Sequence, residues 1–348
     1  MSWIKDRQAA NGPVENRIRS LDGIRGIAIY LVLLGHLFPH ASSFSKPGVT
    51  VFFGLSGYLI TRLLIHEYEK TGNLNLKAFY IRRIFRLAPC FLLVLSCTLV
   101  WCLVMGAYTS RLIPDALRAL LYVANWSVAK GGFTDPLNHM WSLSVEEQFY
   151  FVWPITVFLL SGRRNRLAIL AALAGLGSLL IASVLAAHGS PQITYRSDTA
   201  AIMLLLGCLG ALLEAERKLE WVKDLGAWPI LFTIPMIPFA YIILRMPHPW
   251  VEALLMPLVA GGAVMAAIGG RNSKVLSNPA LVLGGQLSYS LYLWQTPITC
   301  NGIFTYQPHG LSILPMLAIL ALTFLLSWLT WEFVENPCRN FGRRLSEC

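Results

Sequence analysis

The chain is built from long apolar runs separated by short polar segments. A helix needs about 20 mostly apolar residues to cross a bilayer, and ten runs approach that length. Some are short or interrupted: the first holds three glycines, and the fourth carries Glu146 and Glu147. The runs lie at 23–40, 49–66, 86–106, 139–160, 167–187, 199–213, 228–244, 252–269, 281–303 and 311–334. This pattern predicts an all-α, polytopic integral membrane protein with about ten transmembrane helices.

Lysine and arginine are unevenly divided between the two sides of this arrangement. With ten spans both termini share one side, which carries 22 of the 28 basic residues, while the other side carries 6. Basic loops are retained in the cytoplasm, so both termini are predicted to be cytoplasmic. An odd number of spans would remove the bias.

The polar segments between the runs are too short to form a separate soluble domain. Residues 111–127 have an amphipathic pattern, which predicts a helix along the membrane surface. The predicted organisation is a cytoplasmic tail at 1–17, one transmembrane domain at 18–337 and a cytoplasmic tail at 338–348. Residues 1–19 are polar and basic, which is not the pattern of a cleavable signal peptide.

The composition also indicates a membrane protein. Hydrophobic residues occupy 55% of the 348 positions and charged residues only 13%, whereas a soluble domain carries about 25% charged residues. The net charge of +10 fits basic cytoplasmic loops and contact with anionic lipid better than a nucleic-acid partner. The seven cysteines show no disulfide pattern, and burial in apolar surroundings is expected for most of them.

Arg25 and His36 stand at the two ends of the first apolar run. Eleven helical steps separate them, which is almost three whole turns, so both side chains lie on one face roughly 16 Å apart. Ionisable residues inside a span are costly and usually functional. The alternative is an arginine that anchors the helix at the membrane and a histidine that is hydrogen-bonded within the bundle.

Four predicted spans place polar side chains at a similar depth in the outer half of the membrane: His36, Ser56, Glu146 and Gln295. Isolated polar groups are unfavourable in lipid, so these must face a bundle interior or a wet cavity. A histidine beside a carboxylate is the usual apparatus of general base catalysis. Helix packing explains Ser56 equally well, because Ser-Gly pairs are common where membrane helices meet.

Glu146 shares its helix face with Ser142 and Tyr150, one turn away on either side. The alternative for Glu146 and the adjacent Glu147 is that one pairs with a cation while the other faces water. The remaining histidines show no metal-ligand spacing. No Walker loop or dinucleotide fingerprint is present.

Arginines cluster at the inner end of the third span. Arg82 and Arg86 are one helical turn apart, and Arg83 is adjacent. Guanidinium groups bind phosphate through paired hydrogen bonds, so the cluster could hold a phosphate-bearing donor. The equal alternative is a basic anchor that touches lipid headgroups.

Five segments together resemble the motifs of the bacterial membrane acyltransferase-3 family, in the family's order. They are Leu21-Asp-Gly-Ile-Arg-Gly-Ile-Ala with His36, Gly48-Val-Thr-Val-Phe-Phe-Gly-Leu-Ser-Gly-Tyr-Leu-Ile60, Phe79-Tyr-Ile-Arg-Arg-Ile-Phe-Arg-Leu-Ala-Pro89, Trp141-Ser-Leu-Ser-Val-Glu-Glu-Gln-Phe-Tyr150 and Leu287-Ser-Tyr-Ser-Leu-Tyr-Leu-Trp294. The resemblance extends over about residues 18–337. It implies a ten-helix O-acyltransferase of the bacterial inner membrane. Such an enzyme moves an acyl group, here expected to be acetyl, from cytoplasmic acyl-CoA to a carbohydrate or glycosylated acceptor, without a metal.

The resemblance also assigns roles to the candidate residues. Arg82, Arg83 and Arg86 would hold the CoA phosphates at the inner mouth, with Arg25 beside the CoA path. His36 would be the general base for the acceptor hydroxyl, and direct transfer is preferred over an acyl-enzyme intermediate. Glu146 would orient His36 or bind the sugar. The substrate would also be bound by Ser56, Tyr150 and Gln295.

The sequence departs from the family pattern at two positions. Thr50 stands where an acidic residue is frequent, and Gln295 stands where histidine is usual. Glutamine cannot act as a base, so a binding role is expected for Gln295. A transporter or flippase is the alternative function, since glycine-bearing spans and inward charges also occur in transporters. No two-half symmetry is evident to support that alternative.

Overall fold

The structure is a computed structural model that describes residues 19–37, 44–106, 110–132, 136–190, 193–244, 249–300 and 313–347. Within these residues the chain forms a bundle of α-helices. The helices are α1 (Arg19–Leu37), α2 (Ser45–Thr71), α3 (Leu76–Val104), α4 (Leu112–Leu120), α5 (Ala124–Val128), α6 (Met140–Leu159), α7 (Arg164–Ala187), α8 (Ser197–Ala215), α9 (Trp228–Thr233), α10 (Met236–Leu244), α11 (Pro249–Gly269), α12 (Pro279–Cys300), α13 (Ile313–Thr330) and α14 (Asn336–Glu347).

Every predicted span falls on a helix, and the protein is an all-α, polytopic membrane protein. The seventh span is divided into the two short helices α9 and α10. Among the residues that the structure describes, seven helices are long and apolar enough to cross a membrane, namely α1, α2, α3, α7, α8, α11 and α13 with its continuation. The helices α6 and α12 are outside this group because they carry more polar residues. The predicted span ends at 38–40, 301–303 and 311–312, and the tail at 1–17, lie outside the described residues.

Glycines allow α1 and α12 to approach each other at backbone distance. Gly26 lies against the carbonyl group of Leu281, and Gly285 lies against the carbonyl group of Asp22. A Cβ atom at either glycine would overlap the facing oxygen. Small residues give membrane helices this close packing, because lipid tails provide no hydrophobic drive for helix association.

A second glycine contact joins α2 to α8. Gly57 faces the carbonyl group of Leu204, and Gly207 faces the carbonyl group of Gly54. Helices α1, α2, α8 and α11 are buried over most of their length, whereas α7 and α13 expose most of theirs. The polar side chains of the buried helices are therefore held inside a rigid, closely packed centre.

The last transmembrane helix changes its winding before it ends. A π-helical turn at Trp331–Glu335 follows α13, and the chain continues as α14. The π turn directs Glu335 into the interior, where it is buried. Helix α14 packs on α3 through Gly342 and a ring contact between Phe341 and Phe85, 5.3 Å between centroids. Most of the predicted C-terminal tail is thus a helix docked against the bundle.

Candidate functional site

His36 lies in the last turn of α1 and is exposed. Its Nδ1 atom is 2.8 Å from the carbonyl oxygen of Val32, one turn earlier. A carbonyl oxygen only accepts hydrogen bonds, so Nδ1 carries a proton, and it is the only protonated nitrogen when the ring is neutral. The lone pair of the neutral ring is then on Nε2, which is the nitrogen able to take a proton.

Ser56 and Glu146 are in contact inside the bundle. The Ser56 hydroxyl donates to Glu146 Oε1 over 2.7 Å, joining α2 to α6 across 90 residues of sequence. Glu146 also lies within electrostatic range of Arg25 and Arg83. The carboxylate therefore accepts a hydrogen bond from a hydroxyl and lies in the field of two guanidinium groups that it does not contact.

Arg83 forms a paired ion bridge with Glu147, with Nε to Oε2 at 3.2 Å and Nη2 to Oε1 at 2.6 Å. Its guanidinium carbon lies 3.1 Å from the ring centre of Tyr150, which is itself buried. Arg82 faces Glu67 at 3.5 Å, close to the turn between α2 and α3. Two of the three predicted phosphate-binding arginines thus have carboxylate neighbours.

Arg25 and Arg86 have no hydrogen bond or ion pair to any of the described residues. They lie within electrostatic range of each other and of Glu335. Protein surrounds Arg86 densely, yet its side chain is exposed, so it borders an open space within the bundle. Two unpaired guanidinium groups in such a space form an attractive position for an anion.

Glu335 is a site residue that sequence reasoning missed. It accepts a hydrogen bond from Ser290 at 3.1 Å and lies near Arg86 and Arg339. Its sequence position, one residue after the last predicted span, gave no reason to place it in the interior. The π turn that brings it inside has no recognisable local signal.

His139 is the second site residue that sequence reasoning missed, because it stands at a span end. It precedes α6, and its ring lies within electrostatic range of His36. The ring also packs edge-on against Tyr292, 5.5 Å between centroids. The Tyr292 hydroxyl donates to the His139 carbonyl oxygen at 2.7 Å and is 2.5 Å from the Ser142 hydroxyl. The ends of α1 and α6 and the outer half of α12 therefore meet around His139.

Gln295 follows Tyr292 by one helical turn on α12 and is buried, with 1% of its surface exposed. Neither its amide nitrogen nor its amide oxygen has a hydrogen-bond partner in the described part of the chain.

Glu146 lies seven residues beyond His139 on α6, about 10 Å along the helix axis. The His36 ring is held by the carbonyl oxygen of Val32. The hydrogen bond that Glu146 accepts comes from Ser56.

Hydrogen bonds and shorter-range electrostatic proximities follow one another through the bundle, and the residues involved are here named the polar column. They are Arg86, Arg25, Glu146, Ser56, Tyr292, Ser142, His139 and His36, with Glu335 beside the arginine end. Hydrogen bonds join Ser56 to Glu146 and Tyr292 to Ser142 and the His139 carbonyl group, and the remaining neighbours are within electrostatic range of each other. Guanidinium groups occupy one end and imidazoles the other. No group of three or more potential metal ligands occurs among the residues that the structure describes.

A polytopic membrane protein with ionisable groups directed into its centre belongs to the class that handles polar substrates within the membrane. A family model described as an acyltransferase domain matches residues 18–332, most of the chain. The chain therefore belongs to this acyltransferase family.

Curated relatives agree with the family match. The peptidoglycan O-acetyltransferase OatA of Listeria monocytogenes is 32% identical over 93% of this chain. The O-acetyltransferase OatA of Staphylococcus aureus is 29% identical over 92% of it. The alignments cover 56% and 57% of those two proteins, so the chain spans just over half the length of the curated relatives it matches. No solved structure matches this chain.

Proposed function

We propose that the protein is a membrane O-acetyltransferase. It takes an acetyl group from cytoplasmic acetyl-CoA and transfers it to a carbohydrate hydroxyl on the outer side of the bacterial cytoplasmic membrane. Family membership supports acyl transfer, and the names of the relatives support acetyl as the group and a peptidoglycan-type sugar as the acceptor. The single observation that carries the mechanism is the Val32 contact, which makes Nε2 of His36 the basic nitrogen.

The chemical step needs one base. His36 Nε2 removes the proton of the acceptor hydroxyl as its oxygen attacks the thioester carbonyl. The new C–O bond forms, the C–S bond breaks, and the proton passes from His36 to the departing thiolate. No other reactant is consumed, and the imidazole returns to its neutral form. Direct transfer uses Ser56 only as a binding group, since its hydroxyl is held by Glu146.

The donor phosphates are assigned to Arg25 and Arg86. Both guanidinium groups lack a carboxylate contact in the described residues and border the same interior region. Arg82, at the inner rim, would meet the donor on entry. Arg83 keeps Glu147 and Tyr150 in place rather than binding phosphate, because its hydrogen-bonding edge is already occupied.

The transporter alternative is weaker than acyl transfer. Family membership does not favour it. The acceptor-side roles proposed for Glu146, Tyr150 and Gln295 are to shape the space between the donor thioester and the sugar.

The first test replaces His36 with alanine in the purified full chain supplied with labelled acetyl-CoA. We expect acetyl transfer to fall by about 10²–10⁴-fold, the usual contribution of a positioned general base. Binding of acetyl-CoA should be unchanged, because the phosphate-binding arginines are retained. Transfer to a sugar acceptor is followed by mass spectrometry.

His188→Ala is the matched control. His188 Nδ1 also lies 2.8 Å from the carbonyl oxygen four residues earlier, but on the exposed end of α7. Its loss should leave transfer unchanged. Full activity in His36→Ala, with His188→Ala equally active, would remove His36 from the mechanism.

A further inference from the structure

Unpartnered polar atoms are concentrated around the outer end of the polar column. Nine buried side-chain nitrogen and oxygen atoms lack a hydrogen-bond partner in the described residues, and five of the nine belong to His139, Gln295 and Thr296. Buried polar groups in proteins are nearly always satisfied, and exceptions usually mark a water or ligand position. The concentration therefore indicates a position for a polar molecule.

Helical spacing places the three residues in one part of the bundle. The ring of Tyr292 packs against His139, and Gln295 and Thr296 follow Tyr292 by three and four residues. Positions three and four residues on lie one helical turn away, on either side of the same face. Gln295 therefore lies one turn beyond Tyr292, near the face of α12 on which Tyr292 contacts His139.

The hydrogen-bonding capacity of His139 shows which kind of partner its ring lacks among the described residues. The carbonyl groups of Pro136 and Leu293 lie near its ring, although neither nitrogen makes a hydrogen bond of normal geometry. A neutral imidazole has one donor nitrogen and one acceptor nitrogen. Carbonyl oxygens can serve only the donor, and burial disfavours a charged ring. The acceptor nitrogen therefore requires a donor from outside the described residues.

We propose that His139 and Gln295 bind a second hydrogen-bond donor of the acceptor sugar, adjacent to the hydroxyl that His36 deprotonates. The donor is a neighbouring hydroxyl or an amide N–H, which His139 accepts. The amide of Gln295 donates to and accepts from the same sugar. His139 is thus a specificity-determining residue, and this role rests on the acyl transfer proposed above. An acceptor that lacks the second donor leaves the imidazole nitrogen unsatisfied and is rejected for that reason.

The test uses the full chain in lipid nanodiscs, acetyl-CoA as donor and a β-1,4-linked N-acetylglucosamine tetramer as the acceptor probe. We expect His139→Leu to raise KM for the sugar at least tenfold and to leave KM for acetyl-CoA unchanged. His139→Gln retains an acceptor oxygen and should recover most of the sugar affinity. Gln295→Leu provides a second variant on a different helix, with the same expected direction of change. His188→Leu is the control, with no change in either KM.

Sugar binding is also measured without turnover, through the fluorescence of the tryptophans, which include Trp141 two residues from His139. Unchanged KM and unchanged sugar binding in His139→Leu and Gln295→Leu would overturn the inference and assign the site to a structural water. If wild type binds the sugar and His139→Leu does not, while neither transfers acetyl, the inference stands and the proposed function fails. If wild type neither binds nor acetylates the sugar, both are rejected.

Discussion

Three neighbouring arginines on α3 have three different surroundings. Arg82 faces Glu67 close to the turn between α2 and α3, Arg83 is paired with Glu147, and Arg86 faces Arg25 in the interior. The sequence shows that the three are close, and helical spacing shows which are one turn apart. It does not reveal which guanidinium is already paired, because the partner of Arg83 is 64 residues away on another helix. Only tertiary packing separates a structural arginine from one available to an anion.

The donor assignment predicts a change in substrate affinity. Arg86→Ala should raise KM for acetyl-CoA at least tenfold, because it removes one of two guanidinium groups assigned to the phosphates. The rate at saturating acetyl-CoA should change much less. Steady-state kinetics with varied donor concentration measures both quantities.

Arg164→Ala is the matched control for this prediction. Arg164 is also on the predicted cytoplasmic side, but it pairs with Glu69 in an exposed position. It should leave both parameters near wild type. Equal effects of the two substitutions would indicate that general positive charge, and not the Arg25–Arg86 position, attracts the donor.

The candidate site likewise contains residues that the sequence points to and residues that only the structure reveals. The sequence predicts that Ser56 and Glu146 lie at a similar depth, because both fall in spans predicted to start on the outer side. The structure adds that the two are hydrogen-bonded. The sequence could not identify His139, since a histidine at a span end has no periodic signal. The backbone contact that fixes the ring of His36 also depends on a rotamer, which no sequence pattern specifies.

Helices are the scale at which the sequence is most informative. The apolar runs locate all the long helices, because the bilayer requires every backbone group to be paired within its own segment. The division of the seventh run into α9 and α10, and the π turn before α14, were not predictable. Both features depend on how these parts of the chain pack in the bundle. The sequence of 336–347 is that of a polar tail, and only the contacts of Phe341 and Gly342 with α3 show that it is a docked helix.

The close approach of α1 and α12 gives a prediction at this scale. Gly285→Ala should destabilise the protein by about 1–3 kcal/mol or more, since the added methyl group overlaps the carbonyl oxygen of Asp22. Thermal unfolding in detergent, followed by circular dichroism, measures the loss. The two helices carry His36 and Gln295, so transfer activity should fall as well.

Gly261→Ala is the control for the glycine contact. Gly261 is within α11, and a Cβ atom there would meet nothing within 4 Å. Alanine is favoured over glycine in a helix by roughly 0.5–1 kcal/mol, so this variant should be as stable as wild type or slightly more. A comparable loss in both variants would contradict the idea that α1 and α12 need backbone contact.

At the scale of the whole molecule, the order and burial of the helices place the polar column inside the bundle. The helices that line it include α6 and α12, which are less apolar than a freely lipid-exposed span. The sequence predicts where the long apolar helices lie along the chain, but not which ones surround the centre. That arrangement depends on glycine contacts such as Gly57 against Leu204, made between residues far apart in the chain.

The orientation of the polar column across the membrane is tested by labelling single cysteines from one side. In an otherwise cysteine-free chain, Lys130→Cys should react with a membrane-impermeant maleimide on intact cells. Lys77→Cys should react only after permeabilisation, because its loop belongs to the basic side. Both positions are exposed, so access to the reagent is the only difference. The reverse pattern would place the arginine end outside and contradict a cytoplasmic donor.

The Arg83–Glu147 bridge has a consequence for the permeability of the membrane. Polar groups that follow one another through a bundle offer a route by which protons could leak across the cell's ion gradient. Arg83 and Glu147 are paired with each other, so together they fill this part of the bundle without leaving a free charge. Tyr150, 3.1 Å under the Arg83 guanidinium, fills the space next to the bridge. The bridge is thus suited to keeping water out of this part of the column, and an enzyme working across an energised membrane needs such insulation as much as it needs a base.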